Sequence, residues 1–478
     1  MSANAAHADG NPLNGANPRP FYVFEHNPNT VGDAEAALQA GANALEPDVQ
    51  ASSDVANLLN GTLIVNHGTG GSNPPTLEAY LRGLHTLAIQ YPQLALVVFD
   101  IKSEAASASN GEKILQAIRS HLNTEGVEVN VILSVGTADD LAVFDSILGS
   151  LGPREGVQVD AEDDAGTVVN YFLARGYDGN IGYGDGTLGP GPHLVAAMDA
   201  AVFLRAALGY PKAVTYVYTI RLTDSMRLFI DAGVDGIIPG GFSIGPDPDY
   251  VAELRQIVDG RSDVVLATRQ DNPFQPRNEA YGLSVVTTDG VAAGTDAHLT
   301  FTLEGTLGSS TITVDAEPTG RMEAGSVSYV TIASKDLGIL KSITVSRDSA
   351  GNAPGWRLQE IRVFSARWLQ ADQRYHYSAT FDDWVDSEFP LARPLIWNAP
   401  PIEAMADEFV WSATDRGYED GTSLAPFKRL SDAYRWVQRG GTIRLAPGEY
   451  RENLTLTKPC ELRFWDAHGS GPAVIGRP

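Results

Sequence analysis

His26 in VFEHNPN, Glu46 and Asp48 in ALEPDV, His67 in LIVNHG, and Asp100 with Lys102 in VVFDIK place two imidazoles, three carboxylates and an amine near the start of the chain. Such a set pairs an acid/base couple with an oxygen-rich cation site. Three carboxylates converging on one spot repel one another unless a cation neutralises them, and hard oxygen ligands favour Mg²⁺, with Ca²⁺ or Mn²⁺ as alternatives. An imidazole with a pKa near 6.5 suits proton transfer on either side of a metal-bound anion. Taken singly, an E-x-D pair is most often a solvated strand end, and a lone histidine a satisfied core or surface residue. The order in which these groups occur carries the argument.

Each group follows a short apolar run, Phe21–Phe24, Leu63–Val65 or Leu94–Phe99, which predicts a position at the carboxyl end of a buried strand. Alternation along a strand puts Glu46 and Asp48 on one face, and Asp100 and Lys102 on one face. Strand-like runs recur near Phe21, Ala44, Leu94, Val131, Val157, Ile181, Val214 and Gly236, separated by amphipathic stretches such as Val31–Ala40 and Ser225–Ala232. This α/β rhythm predicts a (β/α)8 TIM barrel. A doubly wound sheet fits less well, because the first βα turn lacks a glycine-rich phosphate loop.

The segment from Arg19 to Lys102 resembles the superfamily of glycerophosphodiester phosphodiesterases and sphingomyelinase D-type phospholipases D. His26-Asn27-Pro28-Asn29 and His67-Gly68 look like the sphingomyelinase D branch, as do Gly176–Gly186, Val217–Gly240 and the tail LATRQDNPF, where Phe274 stands in place of the family's Trp. The resemblance covers residues 19–274. It implies catalytic His26 and His67, metal ligands Glu46, Asp48 and Asp100, and substrate contacts from Lys102, Asn29 and Tyr218. The chain departs from the pattern in having Tyr218 for a substrate-facing Trp, Arg221 for an Asp, and no cysteine in the loop Gly68–Thr76. Arg221 would oppose a cationic headgroup if turned inward.

After Phe274 the pattern changes to short alternating strands, Ala297–Leu303, Ser326–Ile332 and Ile339–Ser346. GTDAHLTFTLEG, DLGILKSITVSRDS and APGWRLQEIRVF resemble a PLAT (LH2) β-sandwich over residues 279–390, with Trp356 read as a core residue and Asp296 as a candidate Ca²⁺ ligand. Residues 407–478 resemble the opening of a right-handed β-helix with a capping helix at Leu430–Gln438, too short to bury a continuous core alone.

Composition bounds the partners. A formal charge of −25 argues against nucleic acid and against electrostatic recruitment to anionic lipid, leaving a zwitterionic lipid surface reached through the PLAT-like domain. The first 18 residues read as a disordered lead-in without a signal peptide. The single cysteine, Cys460, fits a cytoplasmic chain and is compatible with export, which the family resemblance implies. Taken together, the resemblance implies a Mg²⁺-dependent phospholipase D-type lyase that releases the headgroup of sphingomyelin or lysophospholipids and leaves a cyclic phosphate. Two alternatives stand beside it: a glycerophosphodiester phosphodiesterase acting as a hydrolase, and a lipid-surface binding protein with an inactive barrel.

Overall fold

In the computed structural model, the described residues are 16–52, 61–68, 73–160, 164–186, 192–209, 213–240, 246–274, 280–316, 320–353, 355–366, 376–398, 407–410, 429–436, 442–450, 460–464 and 473–475. The first fifteen residues of the expected lead-in lie outside them.

The first unit is mixed α/β around one curled sheet. Its strands are β1 (Arg19–His26), β2 (Ala44–Glu46), β3 (Asp48–Ala51), β4 (Leu63–Val65), β5 (Leu96–Ile101), β6 (Asn130–Val135), β7 (Glu155–Val159), β8 (Tyr183–Gly186), β9 (Thr215–Ile220), β10 (Gly236–Pro239) and β11 (Val264–Leu266). Parallel pairing runs from β1 to β2, β5, β6 and β7, through a bridge between Val157 and Ile181, and from β8 to β9 and β10. β10 pairs in turn with β1. β4 is a buried strand that lies outside this series: it runs antiparallel to β3, Val49 opposite Val65, as an arm beside the parallel strands.

Alternation along β1 explains why its centre, Phe21–Phe24, is apolar on both faces. Phe21 and Val23 join the layer between sheet and helices, whereas Tyr22 and Phe24 join Leu96, Val98, Ile132 and Tyr216 in a cluster on the other face. The helices are α1 (Val31–Ala40), α2 (Leu77–Gln90), α3 (Ala108–Ala117), α4 (Ala165–Leu173), α5 (Pro192–Leu208), α6 (Thr223–Ala232) and α7 (Pro248–Asp259). α1 starts where the Thr30 side chain accepts from the Asp33 N–H, and it stops at Gly41, whose φ of 109° is a left-handed cap. The tail after β11 closes the strand-start end. Phe274 enters the inner cluster, Asn43 donates to the Ala267 carbonyl, and Arg269 donates to the Leu94 carbonyl.

The second unit is a sandwich of β12 (Ala280–Thr287), β13 (His298–Gly305), β14 (Ser309–Asp315), β15 (Val327–Ala333), β16 (Leu340–Arg347), β17 (Trp356–Phe364), β18 (His376–Val385), β19 (Leu391–Pro394) and β20 (Ile396–Asn398). One sheet has the order β15-β12-β17-β18-β20 and the other β14-β13-β16-β19. Trp356 is fully buried between them, edge-on to Phe301, with its indole N–H donating to Thr287. Beyond the sandwich, Asp407–Val410, Thr442–Leu445 and Glu461–Phe464 form a parallel three-stranded sheet beside the helix Leu430–Trp436. Arg429, just before that helix, donates to the Asn170 carbonyl of α4, so this appendage packs on the first unit.

The two main units share a core. α5 is apolar around most of its circumference, the pattern of a helix covered on both sides. Its Phe203 stacks on Tyr329 at 4.6 Å and meets Phe364 edge-on at 5.5 Å, while Asp199 takes a two-pronged ion pair from Arg321 at 2.5 and 2.6 Å, both side chains buried. The sandwich is therefore part of what buries α5. Ending the chain after Phe274 should lower the thermal midpoint and promote self-association, read by calorimetry and size-exclusion chromatography. A monodisperse truncated chain as stable as the full one would contradict the shared core.

Candidate functional site

Strand register assembles the site. His26 ends β1 opposite Glu46, and Asp48 at the start of β3 lies opposite Asp100 on β5. Between them Pro47, which has no N–H, separates β2 from β3 while its carbonyl accepts from the Asp100 N–H at 3.0 Å. Glu46 and Asp48 thus belong to two short strands, both paired with β5, and not to one continuous strand. They converge all the same: the Glu46, Asp48 and Asp100 carboxylates each offer an oxygen within 4.8 Å of the others. Among the described residues no other group of three histidines, cysteines or acids comes together in this way.

Electrostatics show what this arrangement demands. Lys102 pairs with Asp48 at 2.5 Å and with Asp100. Burial opposes its charge, but the three surrounding carboxylates outweigh that and hold its pKa above the usual lysine value. Burial, then repulsion from Asp48 and Asp100, pushes Glu46 well above the normal carboxylate range, and burial raises Asp100 against the pull of Lys102. Glu46 Oε2 is buried without a hydrogen-bond donor. Buried anionic oxygens left without donors are the ligand set that a hard divalent cation satisfies, so these residues fit one. Asn29 fixes the aim of Asp48 from two sides, donating Nδ2–H to Oδ2 at 2.7 Å and accepting the Asp48 N–H at 2.8 Å.

The histidines are held differently. His26 Nε2 stands 3.9 Å from Glu46 Oε2, and burial, Lys102 and His67 together lower its pKa to about 4, so it is a neutral imidazole at physiological pH. Asn27 follows at φ 52°, a left-handed conformation that asparagine tolerates, and turns the chain back toward Glu46. His67 lies beyond β4 and is exposed. The neighbouring Asn66 N–H donates to the Asp48 carbonyl, and Asn66 and Gln50 both donate to the Gly68 carbonyl, which ties the β4 arm to the carboxylate strand.

Tyr218 stands on β9 and donates its hydroxyl to Asp160. Burial pushes Asp160 up to about 8, with Asp100 and Asp185 adding to the effect. Asp160 was not singled out from the sequence; its signal is the ending VQVD, an apolar strand closing on a carboxylate as VVFD does. Gln158 and Tyr216 were missed too: Gln158 donates to Ser134 and to the Tyr216 hydroxyl within the inner cluster. Arg221 turns away from this wall, donating to the Tyr250 hydroxyl at 2.7 Å and lying over its ring. In the sandwich, Asp296 accepts the Ala353 N–H at 3.0 Å and ties the loop before β13 to the loop before β17.

A family profile described as dermonecrotic toxin SPH matches residues 16–274, more than half of the chain. The chain belongs to the dermonecrotic toxin SPH family. A second profile, the PLAT/LH2 domain, matches residues 281–390. Dermonecrotic toxin LsSicTox-alphaIA1 of Loxosceles similis is 26% identical over 285 residues, covering 54% of this chain and 98% of the toxin. A toxin of Loxosceles gaucho is 26% identical over 290 residues, 55% and 99% of the two chains, and one of Loxosceles arizonica 24% over 282 residues, 54% and 90%. Among solved structures, a glycerophosphodiester phosphodiesterase from Parabacteroides distasonis aligns with TM-score 0.35 and 17% identity over 51% of this chain and 98% of that one. The coral 8R-lipoxygenase aligns with TM-score 0.22 and 25% identity over 24% of this chain, and the match spans only 17% of the lipoxygenase. As a dermonecrotic toxin SPH member with a PLAT domain, the protein is an enzyme of the sphingomyelinase D, or phospholipase D, type.

In this SPH domain one further buried carboxyl stands apart from the triad. Glu25 is fully buried, accepts the backbone N–H groups of His26 and Asp247, and has its pKa raised by burial to about 7. A folded-state pKa above the unfolded value of 4.5 gives stability that is complete below about 4.5 and lost as pH rises through about 7. The gap corresponds to roughly 3 kcal/mol at about 1.36 kcal/mol per pH unit. Glu25→Gln should flatten the fall in urea midpoint between pH 5 and pH 8. Parallel profiles for the variant and the parent would show that this burial does not govern alkaline stability.

Proposed function

We propose that the curled sheet is a closed (β/α)8 barrel, residues 19–274, whose mouth cleaves the headgroup from a phospholipid by intramolecular attack. The pairing series supports the barrel: β1, β2, β5, β6, β7, β8, β9 and β10 each have a neighbour on both sides once the Val157–Ile181 bridge is included. The observation that carries the chemistry is the register that sets His26 against Glu46 and Asp48 against Asp100, with Lys102 bridging Asp48 and Asp100.

Glu46, Asp48 and Asp100 would hold one divalent cation, Mg²⁺ by hardness and charge. When bound, such an ion supplies Lewis-acid polarisation of a phosphate oxygen. Lys102 binds a second phosphate oxygen and offsets charge that builds on phosphorus. His26, neutral because its pKa is held at about 4, takes the proton of the lipid's own hydroxyl, which sphingomyelin and lysophospholipids carry. That oxygen bonds to phosphorus as the bond to the headgroup oxygen breaks. His67, exposed at the rim, returns a proton to the departing alcohol. The products are a cyclic phosphate and a free alcohol, and the enzyme is a lyase. The wall formed by Tyr218 and Asp160, with Arg221 turned away, suits a cationic alcohol such as choline: the aromatic face attracts an ammonium, and an ammonium seated there would in turn favour the ionised form of Asp160.

A phospholipid surface is the partner that the PLAT domain, residues 279–390, supports, and Asp296 is a candidate Ca²⁺ ligand there. Secretion is the compartment that kinship with spider toxins supports.

Phosphorus NMR of the enzyme with sphingomyelin, lysophosphatidylcholine and glycerophosphocholine should show a cyclic phosphate from the first two; an open-chain phosphomonoester as the initial product would point to a hydrolase instead. His26→Ala and His67→Ala should each slow turnover by about 10²–10⁴-fold, and wild-type rates in both would remove the acid/base assignment. EDTA should abolish activity and Mg²⁺ restore it, with Asp48→Asn needing more Mg²⁺ for half-maximal rate; full activity after exhaustive chelation would rule the metal out.

A further inference from the structure

β1 carries His26, and on the side away from Glu46 its backbone has a partner outside the sheet. Along a parallel strand, N–H groups two residues apart face the same neighbour. The Val23 N–H donates to the Asn43 side chain and the Asn27 N–H to the Glu46 carbonyl, both on the β2 side, whereas the Tyr22 N–H donates to the Asp235 carbonyl, just before β10. Tyr22 and His26 are an even number of residues apart, so the His26 N–H faces the β10 side too. There the ladder has already run out: the register of β1 with β10 covers Tyr22 and Val23, opposite Gly236 and Ile237, and β10 ends at Pro239.

Glu25 fills the gap. Its Oε1 accepts the His26 N–H at 3.1 Å and the Asp247 N–H at 3.0 Å, so one oxygen stands in for the next strand carbonyl and ties the end of β1 to the residue that opens α7. A strand-end N–H without an acceptor leaves its peptide free to turn, and the imidazole turns with it. The Glu25 side chain is fully buried and its Oε2 has no donor, so what the position requires is an acceptor at Oε1 and not a charge. α7 is a firm post to tie to. The Asp247 carbonyl accepts the Tyr250 N–H at 3.1 Å, Tyr250 takes Arg221 at 2.7 Å, Glu253 takes the Thr223 hydroxyl, and Val251 and Leu254 are buried in the layer between sheet and helices.

We propose that Glu25 is a positioning residue for the reaction: standing in for a missing strand partner, it holds the backbone of His26 to the start of α7 and so fixes where the imidazole stands beside Glu46. This rests on the reading that His26 transfers a proton during lipid cleavage. The Asn27 and Asn29 contacts fasten the carboxylate side of the β1 end, to Glu46 and Asp48; Glu25 holds the opposite side.

The test compares, in the full chain, Glu25→Met, close in size but without an oxygen acceptor, and Glu25→Gln, which keeps an oxygen at the same reach. With sphingomyelin and Mg²⁺, Glu25→Met should lower kcat by about 10–10²-fold, the cost of a reacting group misplaced by up to about 1 Å, and Glu25→Gln should recover most of the rate. KM and the Mg²⁺ needed for half-maximal rate should stay at their wild-type values in both. A role in stability alone would lower the urea midpoint of Glu25→Met and leave the kcat of the folded protein where it was. That result, or Glu25→Gln as slow as Glu25→Met, or a joint loss of Mg²⁺ affinity, would overturn the assignment. If Glu25→Met does not fold, Glu25→Asp, one methylene shorter, takes its place with the same expected loss and the same overturning results. Amide hydrogen exchange reads the tie without catalysis: at His26 and Asp247 it should run about tenfold faster in Glu25→Met than in the wild type and Glu25→Gln. Equal exchange in all three would overturn the tie whether or not lipid is cleaved. Faster exchange in a chain that turns over no lipid would leave the tie standing and remove the catalytic reading.

Discussion

Mutual repulsion among Glu46, Asp48 and Asp100 is the constraint around which the first unit is organised. Carboxylates within 4.8 Å of one another, each taken out of water, oppose ionisation by about 3 kcal/mol or more per pair at an effective dielectric constant near 20. Lys102 answers part of this, since it contacts both Asp48 and Asp100, but three anionic groups against one ammonium leave two negative charges. The raised pKa values of Glu46 and Asp100 are the same frustration expressed as proton affinity. A divalent cation matches the residual charge. His26 feels the same crowding from the other side: burial and the nearby Lys102 and His67 lower its basicity by more than Asp100 raises it.

Holding such a set together takes backbone bonds that do not depend on the side chains. The break at Pro47 matters here, because it lets Glu46 follow β1 while Asp48 follows β5, and each carboxylate is then fixed by a separate ladder. Asn29 uses both ends of its amide on Asp48, one to its backbone and one to its side chain, and so converts a rotatable acid into a fixed one. The β4 arm carrying His67 is fastened by Asn66 and Gln50 to the Gly68 turn, whose φ of 68° suits glycine. One histidine is thus rigid and sheltered and the other is at the rim, a difference that distinguishes the two roles better than their identical chemistry does.

Much of this was legible in the sequence, for reasons that differ by element. Helix α1 occupies Val31–Ala40 as the amphipathic pattern indicates, because Thr30 and Gly41 bracket it with local hydrogen bonds. Trp356 falls in the sandwich core because its spacing places it on an inward face. The shared direction of Glu46 and Asp48 follows from strand period, and it persists across the break at Pro47 because both short strands pair with β5. The direction of Arg221 could not be read, since it depends on Tyr250 on a helix that the chain reaches only later. Asp160 ends its strand as Asp100 does, but only the sheet order, with the Val157–Ile181 bridge beside β7 and β8 paired to β9, brings Tyr218 near enough to reach it.

The relation between the two units depends on a surface that sequence alone describes as excess. A helix such as α5, apolar nearly all round, has more greasy surface than one sheet can cover, and the chain states this without saying what covers the rest. The structure supplies β12, β15 and the end of β17, with Phe203 between Tyr329 and Phe364. Because the buried Asp199–Arg321 pair is strongly directional, rotating the sandwich on this greasy patch would strand both charges, which costs far more than shifting apolar contacts. Apolar packing makes the junction adhere, and the ion pair selects one orientation of it. The same helix backs the curled sheet through Leu194, Met198 and Ala201, so the position of the sandwich and the position of the strands that carry the site are set by opposite faces of one rigid element.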